Sequence, residues 1–324
     1  MDFDAKLREK TVLVTGGAGF IGSHLCERLL SHGAWVICFD NFLTGDRAFV
    51  RSLAKKDRNF TCIEGDANES FSILRVLRVA CRIDYIFHYA SVVGVQRTME
   101  DPMGVFRDIQ GIRNITDFAR DRGVKKIIFS SSSEVYGDSG KIPYVEDTSP
   151  RDIKNPYSAV KILAEMYLKN WSLENGIPTT SLRFFNVYGP RQQSSAYGFV
   201  VGIFISQALA HKPLTVFNDG LQTRDFTYID DNVEAALRAL LLPETDNEII
   251  NVGTGIETSV INLATQIGNL AGAEYKIEKV YRPDLIDARR RVADTGKMEK
   301  LIRFSPRVFL PEGLRKTIAA FVKF

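Results

Sequence analysis

Apolar and polar positions along this chain repeat in two periods, and the switches between them mark out its elements. Val12, Leu13 and Val14 form a short apolar run that meets a cluster of glycines, after which Ile21, Leu25 and Leu29 recur at helical spacing. That is a strand, a tight turn and a helix. The same order returns: strands are predicted over 34–39, 60–64, 85–89, 126–131 and 179–185. Helices are predicted over 70–81, 103–122 and 156–175, the last two closed by Gly123 and Gly176. Apolar strands alternating with helices imply a parallel sheet covered on both faces, so residues 1–185 read as a Rossmann-type, doubly wound α/β domain.

Beyond Asn186 the pattern loosens. Tyr188-Gly189-Pro190-Arg191 and the polar stretch 192–198 read as loop. A helix over 200–211, short strands over 214–217 and 225–229, a helix over 232–242, a strand over 249–252 and a helix over 260–271 follow. Residues 186–324 are thus expected to form a smaller, mixed α/β substrate region, with segments around 225–254 returning to the first domain. A second substrate would sit between this region and the carboxyl edge of the sheet.

Composition narrows the function more than the fold. The chain has 324 residues, 45% hydrophobic and 25% charged, and a formal net charge of +3 gives no reason to expect nucleic acid or an anionic membrane as partner. No apolar run approaches the roughly 20 residues of a membrane span. The start, Met1-Asp2-Phe3-Asp4, lacks a basic stretch followed by an apolar one, so a cytoplasmic location is expected. Cys26, Cys38, Cys62 and Cys81 show no CxxC spacing, and His24, His32, His88 and His211 show no ligand spacing. Packed, reduced thiols and no metal site are the expectation.

Chemistry enters with the glycines. Gly16-x-x-Gly19-x-x-Gly22, which also reads as Gly17-x-Gly19-x-x-Gly22, supplies a tight turn, a surface free of side chains and a helix N-terminus that favours a pyrophosphate. Asp40 stands 18 residues after Gly22 at the end of the next strand, where a carboxylate accepts both ribose hydroxyls. Such an acid favours NAD over NADP. A second cluster, Ser130-Ser131-Ser132-Ser133-Glu134-Val135-Tyr136-Gly137, ends a later strand, and Tyr157-Ser158-Ala159-Val160-Lys161 opens the following helix. Tyr157 and Lys161 at i and i+4 share a helical face, so the ammonium is expected to lower the phenol pKa and let Tyr157 exchange a proton with a substrate hydroxyl. Ser132 would bond the same oxygen.

Together these stretches resemble the extended short-chain dehydrogenase/reductases, in particular the NAD-dependent nucleotide-sugar epimerase/dehydratase family. The likeness runs from 15–22 through Asp40-Asn41, Gly65-Asp66, His88-Tyr89-Ala90, the serine-rich strand end and Tyr157-x-x-x-Lys161. It continues through 183–191, Asp219-Gly220-x-Gln222-Thr223-Arg224-Asp225-Phe226 and Arg282-Pro283. The resemblance implies that Gly16, Gly19, Phe20, Ile21 and Gly22 bind NAD, with Asp40 and Asn41 on the adenosine ribose and Asp66 and Ala67 beside the adenine. It implies that Ala90 and Phe185 line the NAD site, that Lys161 holds the nicotinamide ribose, and that Tyr157 is the catalytic acid/base. Ser91, Ser132, Asn186, Arg224 and Arg282 would bind a nucleotide sugar, the last three at its diphosphate, which suits two guanidiniums and an amide.

Such enzymes first oxidise the sugar C4 hydroxyl to a 4-keto intermediate. Glu134 separates the outcomes: a carboxylate there could be a C5 base, which places 4,6-dehydration first, 4-epimerisation second and decarboxylation of a glucuronate third. The sequence 155–158 resembles epimerases and dehydratases, and 141–146 resembles galactose epimerases. A non-catalytic NAD sensor on the same fold is the reading of another class. The chain departs from the family pattern at Asp108 (usually Asn), Ile112 (usually Thr) and Ser91 (usually Ala). It also has Arg303 where a glycine usually closes a helix, at a cost of about 1 kcal/mol if that residue is left-handed. Many relatives dimerise through the two long helices, which places Val105, Ile109, Ile112 and Ile115 with Ile162, Met166 and Leu173 as candidates for a homodimer contact.

Overall fold

A computed structural model describes residues 1–138, 141–150, 152–153, 155–192, 199–272, 274–282 and 288–322, with residues 95 and 96 described in their backbone only. Most of the polar stretch 192–198 and Pro283 lie outside the described residues. Strands β1 (Thr11–Thr15), β2 (Trp35–Asp40), β3 (Phe60–Glu64), β4 (Tyr85–His88), β5 (Lys126–Ser132) and β6 (Thr179–Phe184) join the strand Ile249–Val252 in one seven-stranded sheet. Every pairing in it is parallel, in the order Ile249–Val252, β6, β5, β4, β1, β2, β3. The strand order reverses between β1 and β4. That is where an open parallel sheet leaves a crevice at its carboxyl edge.

Alternation within β1 shows why both faces are covered. Val12 and Val14 pack with Leu25, Leu29, Val233 and Leu237, whereas Leu13 packs on the opposite side with Ile37, Ile86, Ile115 and Phe118. The later residues build smaller sheets over the carboxyl edge. Thr223–Asp225 pairs with Glu257–Ser259 and with Arg290–Arg291, and Leu214–Phe217 pairs with Ile277–Val280. Among the described residues no helix is long and apolar enough to cross a membrane.

Three expected elements differ. The helix expected over 70–81 is a 3-10 segment, Ser72–Arg78, because Phe71 enters it left-handed and Ile73 and Val76 bury a face of period three. The long helix over 103–122 is two helices, Pro102–Phe106 and Asp108–Arg122, jointed at Arg107. The strand over 225–229 ends early: Thr227–Tyr228 is followed at once by the helix Ile229–Leu241, whose first turn carries Asp230 and Asp231 in favourable interaction with its dipole. At the far end Arg303 is left-handed, with φ 56°, as its place after the helix Gly296–Leu301 suggested.

Candidate active site

A cavity of about 1000 Å³ follows the carboxyl edge of the sheet. The glycine turn forms its floor beside β1. Gly16 has φ +69°, and a Cβ there would lie 2.8 Å from the Ala90 nitrogen, while a Cβ on Gly22 would lie 2.1 Å from the Gly16 carbonyl oxygen. Only glycine fits either position. Gly19 caps the helix Phe20–Ser31 with no side-chain hydrogen bond, and Phe20, Ile21 and Gly22 of its first turn line the cavity. This cradle fits a dinucleotide pyrophosphate.

One strand further along, Asp40 accepts from the Ala18 N–H at 2.9 Å and the Phe42 N–H at 2.8 Å. Burial pushes its carboxyl upward, against the pull of those two amides and of Arg47. At the end of β3, Asp66 accepts from Asn41 Nδ2 at 3.1 Å and from the Asn68 N–H at 2.8 Å, with Ala67 buried between them. Asp40, Asn41, Asp66 and Ala67 therefore stand together, and all four line the cavity with Phe20, Ile21, Ala90 and Ser91. Phe185 is placed differently. Its side chain is fully buried with Tyr136 and Tyr144 in a cluster beneath the cleft, and its neighbours Phe184 and Asn186 line the cavity instead. The strand ends at Phe184, so the next side chain turns inward.

The serine-rich end of β5 and the helix Pro156–Asn175 meet opposite the glycine turn. Asn155 caps that helix by accepting from the Tyr157 N–H at 2.7 Å, and Pro156 occupies its first position, which fixes Tyr157 in the opening turn. Lys161, one turn on, donates to the Ser130 carbonyl at 2.8 Å and lies 4.6 Å from the Phe129 ring centroid and 5.3 Å from that of Tyr157. Burial pulls the Lys161 pKa down to about 8, against the raising charges of Asp108 and Glu165. The expected lowering of Tyr157 by Lys161 is not what the geometry gives. Burial holds the phenol well above its ordinary value, Glu134 and Asp108 push the same way, and only a hydrogen bond to Ser132 opposes them. The i, i+4 spacing does bring the two side chains to one face. The ammonium, however, is drawn to a backbone carbonyl and the flat of the ring.

Glu134 sits in the short turn Ser133–Tyr136, its N–H donating to Ser132 Oγ at 3.2 Å. Its carboxylate accepts from both terminal nitrogens of Arg291, Nη2 at 3.3 Å and Nη1 closer still. Arg291 is a buried residue that the sequence reading did not single out. It lies on Arg290–Arg291, in register beside Arg224 on Thr223–Asp225. The run Arg289-Arg290-Arg291 was the available signal, but its partners Asp219, Glu257 and Glu134 are scattered through the chain. Asp225 fastens this sheet to the cleft by accepting from the N–H groups of Thr254, Gly255 and Ala293 at 2.8, 2.9 and 3.2 Å.

Arg224 is buried and Arg282 exposed, the latter 5.4 Å from the Phe217 ring centroid. Asn186 donates through Nδ2 to the Asp225 carbonyl at 3.1 Å. All three line the same cavity as Tyr157, Lys161, Ser132 and Glu134. Among the described residues no group of His, Cys, Asp and Glu side chains could hold a metal ion.

A model of the NAD dependent epimerase/dehydratase family matches residues 12–253, a span that takes in the glycine turn, Asp40, Tyr157 and Lys161. The chain belongs to this family. It is an NAD-dependent enzyme of the epimerase/dehydratase type. Among its relatives, the UDP-N-acetyl-alpha-D-glucosaminuronate decarboxylase of Bacillus cytotoxicus is 36% identical over 97% of this chain and 98% of that protein. The UDP-glucose 4-epimerase of Thermotoga maritima, solved with UDP-glucose, superposes with a TM-score of 0.89 and 35% identity, covering 97% of this chain and 99% of that one. The UDP-glucose 4-epimerase of Thermus thermophilus, solved with NAD, gives 0.87 and 32% over 96% and 99% of the two chains.

Proposed function

We propose that this family member oxidises the C4 hydroxyl of a nucleotide hexuronate and releases its C6 carboxyl group as carbon dioxide. The observation that carries the reading is the convergence, in one cleft, of Tyr157, Lys161 and Ser132 with the Glu134–Arg291 pair. Gly16, Gly19 and Gly22 would hold the pyrophosphate of NAD, Asp40 and Asn41 its adenosine ribose, and Asp66 and Ala67 would border the adenine. Bound NAD supplies the hydride acceptor at C4, the positive charge that favours a phenolate beside it, and the hydride for the closing reduction. Asn186, Arg224 and Arg282 would take the diphosphate of the sugar nucleotide.

Tyr157 takes the C4 hydroxyl proton and Ser132 hydrogen-bonds the same oxygen. The C6 carboxyl group is then β to a ketone. Its C5–C6 bond breaks with the electron pair moving to the C4 oxygen, where Tyr157 and Ser132 hold the developing charge. C5 takes up a proton from solvent, and reduction at C4, with Tyr157 returning the proton it took, completes a nucleotide pentose. No C5 base is needed for the carbon–carbon cleavage. This point, with the Glu134 carboxylate engaged by Arg291, moves decarboxylation ahead of the 4,6-dehydration first expected. Arg291 lines the same cavity and would share its guanidinium between Glu134 and the substrate carboxylate. The decarboxylase name of the Bacillus cytotoxicus relative supports the same substrate class.

The test is the product mass after incubation with NAD and a panel of nucleotide hexuronates and hexoses. Loss of carbon dioxide from a hexuronate is the expected result. An unchanged mass with a new stereoisomer would make the enzyme a 4-epimerase, and loss of water from a hexose would make it a dehydratase.

The quaternary part of the reading is a homodimer. Val105, Ile112 and Ile115 are buried, whereas Met103, Phe106, Leu163, Met166 and Leu173 are exposed on the two helical segments expected to pair. Light scattering at micromolar concentration should give twice the chain mass, and the mass of one chain would remove this part.

A further inference from the structure

Two cysteines stand beside the glycine turn and take no part in the chemistry described so far. Cys38 on β2 and Cys62 on β3 are direct partners in the parallel register, so their side chains share one face of the sheet. Their sulfurs lie 3.6 Å apart. Neighbouring strands run about 4.8 Å apart, inside the Cα separation of about 4.4–6.8 Å that a disulfide spans. Bonding the two sulfurs therefore asks for side-chain movement before backbone movement.

The two thiols differ in access. β3 is the edge of the seven-stranded sheet and Cys62 is half-buried there, whereas Cys38 is fully buried one strand further in. The hydrogen bond with Cys62, together with burial, pushes the Cys38 thiol well above its usual range. An oxidant arriving from solvent meets Cys62 first.

Cys38 also touches the glycine turn from beneath. A Cβ on Gly17 would lie 2.9 Å from Cys38 Sγ, so that sulfur packs directly against the turn. Beside it, the Gly16 N–H donates to the Phe39 carbonyl at 2.8 Å, and Asp40 is the next residue. Gly17 follows β1, and β2 lies between β1 and β3. A disulfide holds its sulfurs about 2.05 Å apart, so closure from 3.6 Å draws the Cys38 sulfur towards β3 and away from Gly17.

We propose that Cys38 and Cys62 are a peroxide-oxidised thiol pair whose disulfide loosens the glycine turn and lowers affinity for NAD. The effect on NAD rests on the reading of that turn given above. The Cys62 thiolate attacks one oxygen of hydrogen peroxide, the O–O bond breaks, and the departing hydroxide takes up the proton that Cys62 lost. Cys62 is then a sulfenic acid. The Cys38 sulfur attacks the Cys62 sulfur, the S–OH bond breaks, and this hydroxide leaves as water with the Cys38 proton. Two thiols have lost two electrons and two protons, and one peroxide has become two waters.

The test treats the reduced full chain with hydrogen peroxide, then reads intact mass, tryptic peptides and NAD affinity by equilibrium titration. The mass should fall by about 2 Da, the two thiol hydrogens. Trypsin should release peptides 29–47 and 59–75 joined, and these hold Cys38 and Cys62 as their only cysteines. NAD affinity should drop about 5-fold or more as the packing beneath the turn is lost, and dithiothreitol should restore it. Cys62→Ser or, if that chain does not fold, Cys62→Ala should show neither the link nor the drop. A mass that rises in steps of about 16 Da with no link would overturn the proposal. So would a link through Cys26 or Cys81 instead, or the expected link with NAD affinity unchanged. A reduced chain that binds no NAD would defeat the functional reading, and the joined peptides would still decide whether the pair forms.

Discussion

The two ends of the cleft are built by different means. At the end we propose for the cofactor, the lining comes from consecutive strand ends: Gly16 follows β1, Asp40 closes β2 and Asp66 follows β3, and at Gly16 and Gly22 the backbone is held where a side chain would collide. At the end we propose for the sugar, the lining includes side-chain charges brought from afar, and Glu134 and Arg291 are 157 positions apart. The lesson concerns how each end fails. Substitution at the cofactor end is expected to disturb shape before chemistry, and substitution at the sugar end to alter chemistry first.

The sharpest way to test that contrast is Tyr157→Phe, which deletes one hydroxyl between the two ends. Turnover should fall by about 10² to 10⁴, the range for loss of a general acid/base, with NAD affinity retained in equilibrium titration. Gly22→Ala addresses the cofactor end. With its Cβ 2.1 Å from the Gly16 oxygen, the turn must open, costing about 1–3 kcal/mol of stability and NAD binding together. Retained cofactor affinity at full stability would break the comparison. Arg291→Met is the matching change at the sugar end. It should lower kcat/KM for the nucleotide sugar by about 10- to 100-fold, the worth of a charged hydrogen bond, and leave NAD affinity unchanged. The smallest effect lies outside both ends. Arg303→Gly relieves a left-handed residue at φ 56° and should stabilise by about 1 kcal/mol, seen as a rise of about 2 °C in Tm with activity unaltered.

The same contrast explains what could be read without coordinates. The glycine turn, Asp40 and the parallel strands announce themselves because each signal is local: a run of Val and Leu, a glycine spacing, an acid at a strand end. Tyr157 and Lys161 are local too, as positions, yet their electrostatics are not. Burial of the phenol and the pull of the Ser130 carbonyl on the ammonium depend on β5, which lies outside the helix that carries them. Arg291 was hidden because nothing near it in sequence names Glu134 as its partner. Phe185 was misplaced by one residue's alternation at the end of β6, where Phe184 and Asn186 face the cavity and the side chain between them joins Tyr136 and Tyr144. The helix expected over 103–122 broke at Arg107, a joint that leaves Asp108 facing the loop after β4.

Hydride removal at the sugar C4, driven by Tyr157 with Ser132 and Lys161, is the central claim. It is tested most directly by mixing the NAD-loaded enzyme with a nucleotide hexuronate in a single turnover and following the absorbance of reduced nicotinamide. The substrate is used with either hydrogen or deuterium at C4. The account predicts a transient absorbance that forms more slowly with deuterium at C4 and is absent in Tyr157→Phe. A product that forms with no such transient and no sensitivity to C4 deuterium would contradict it.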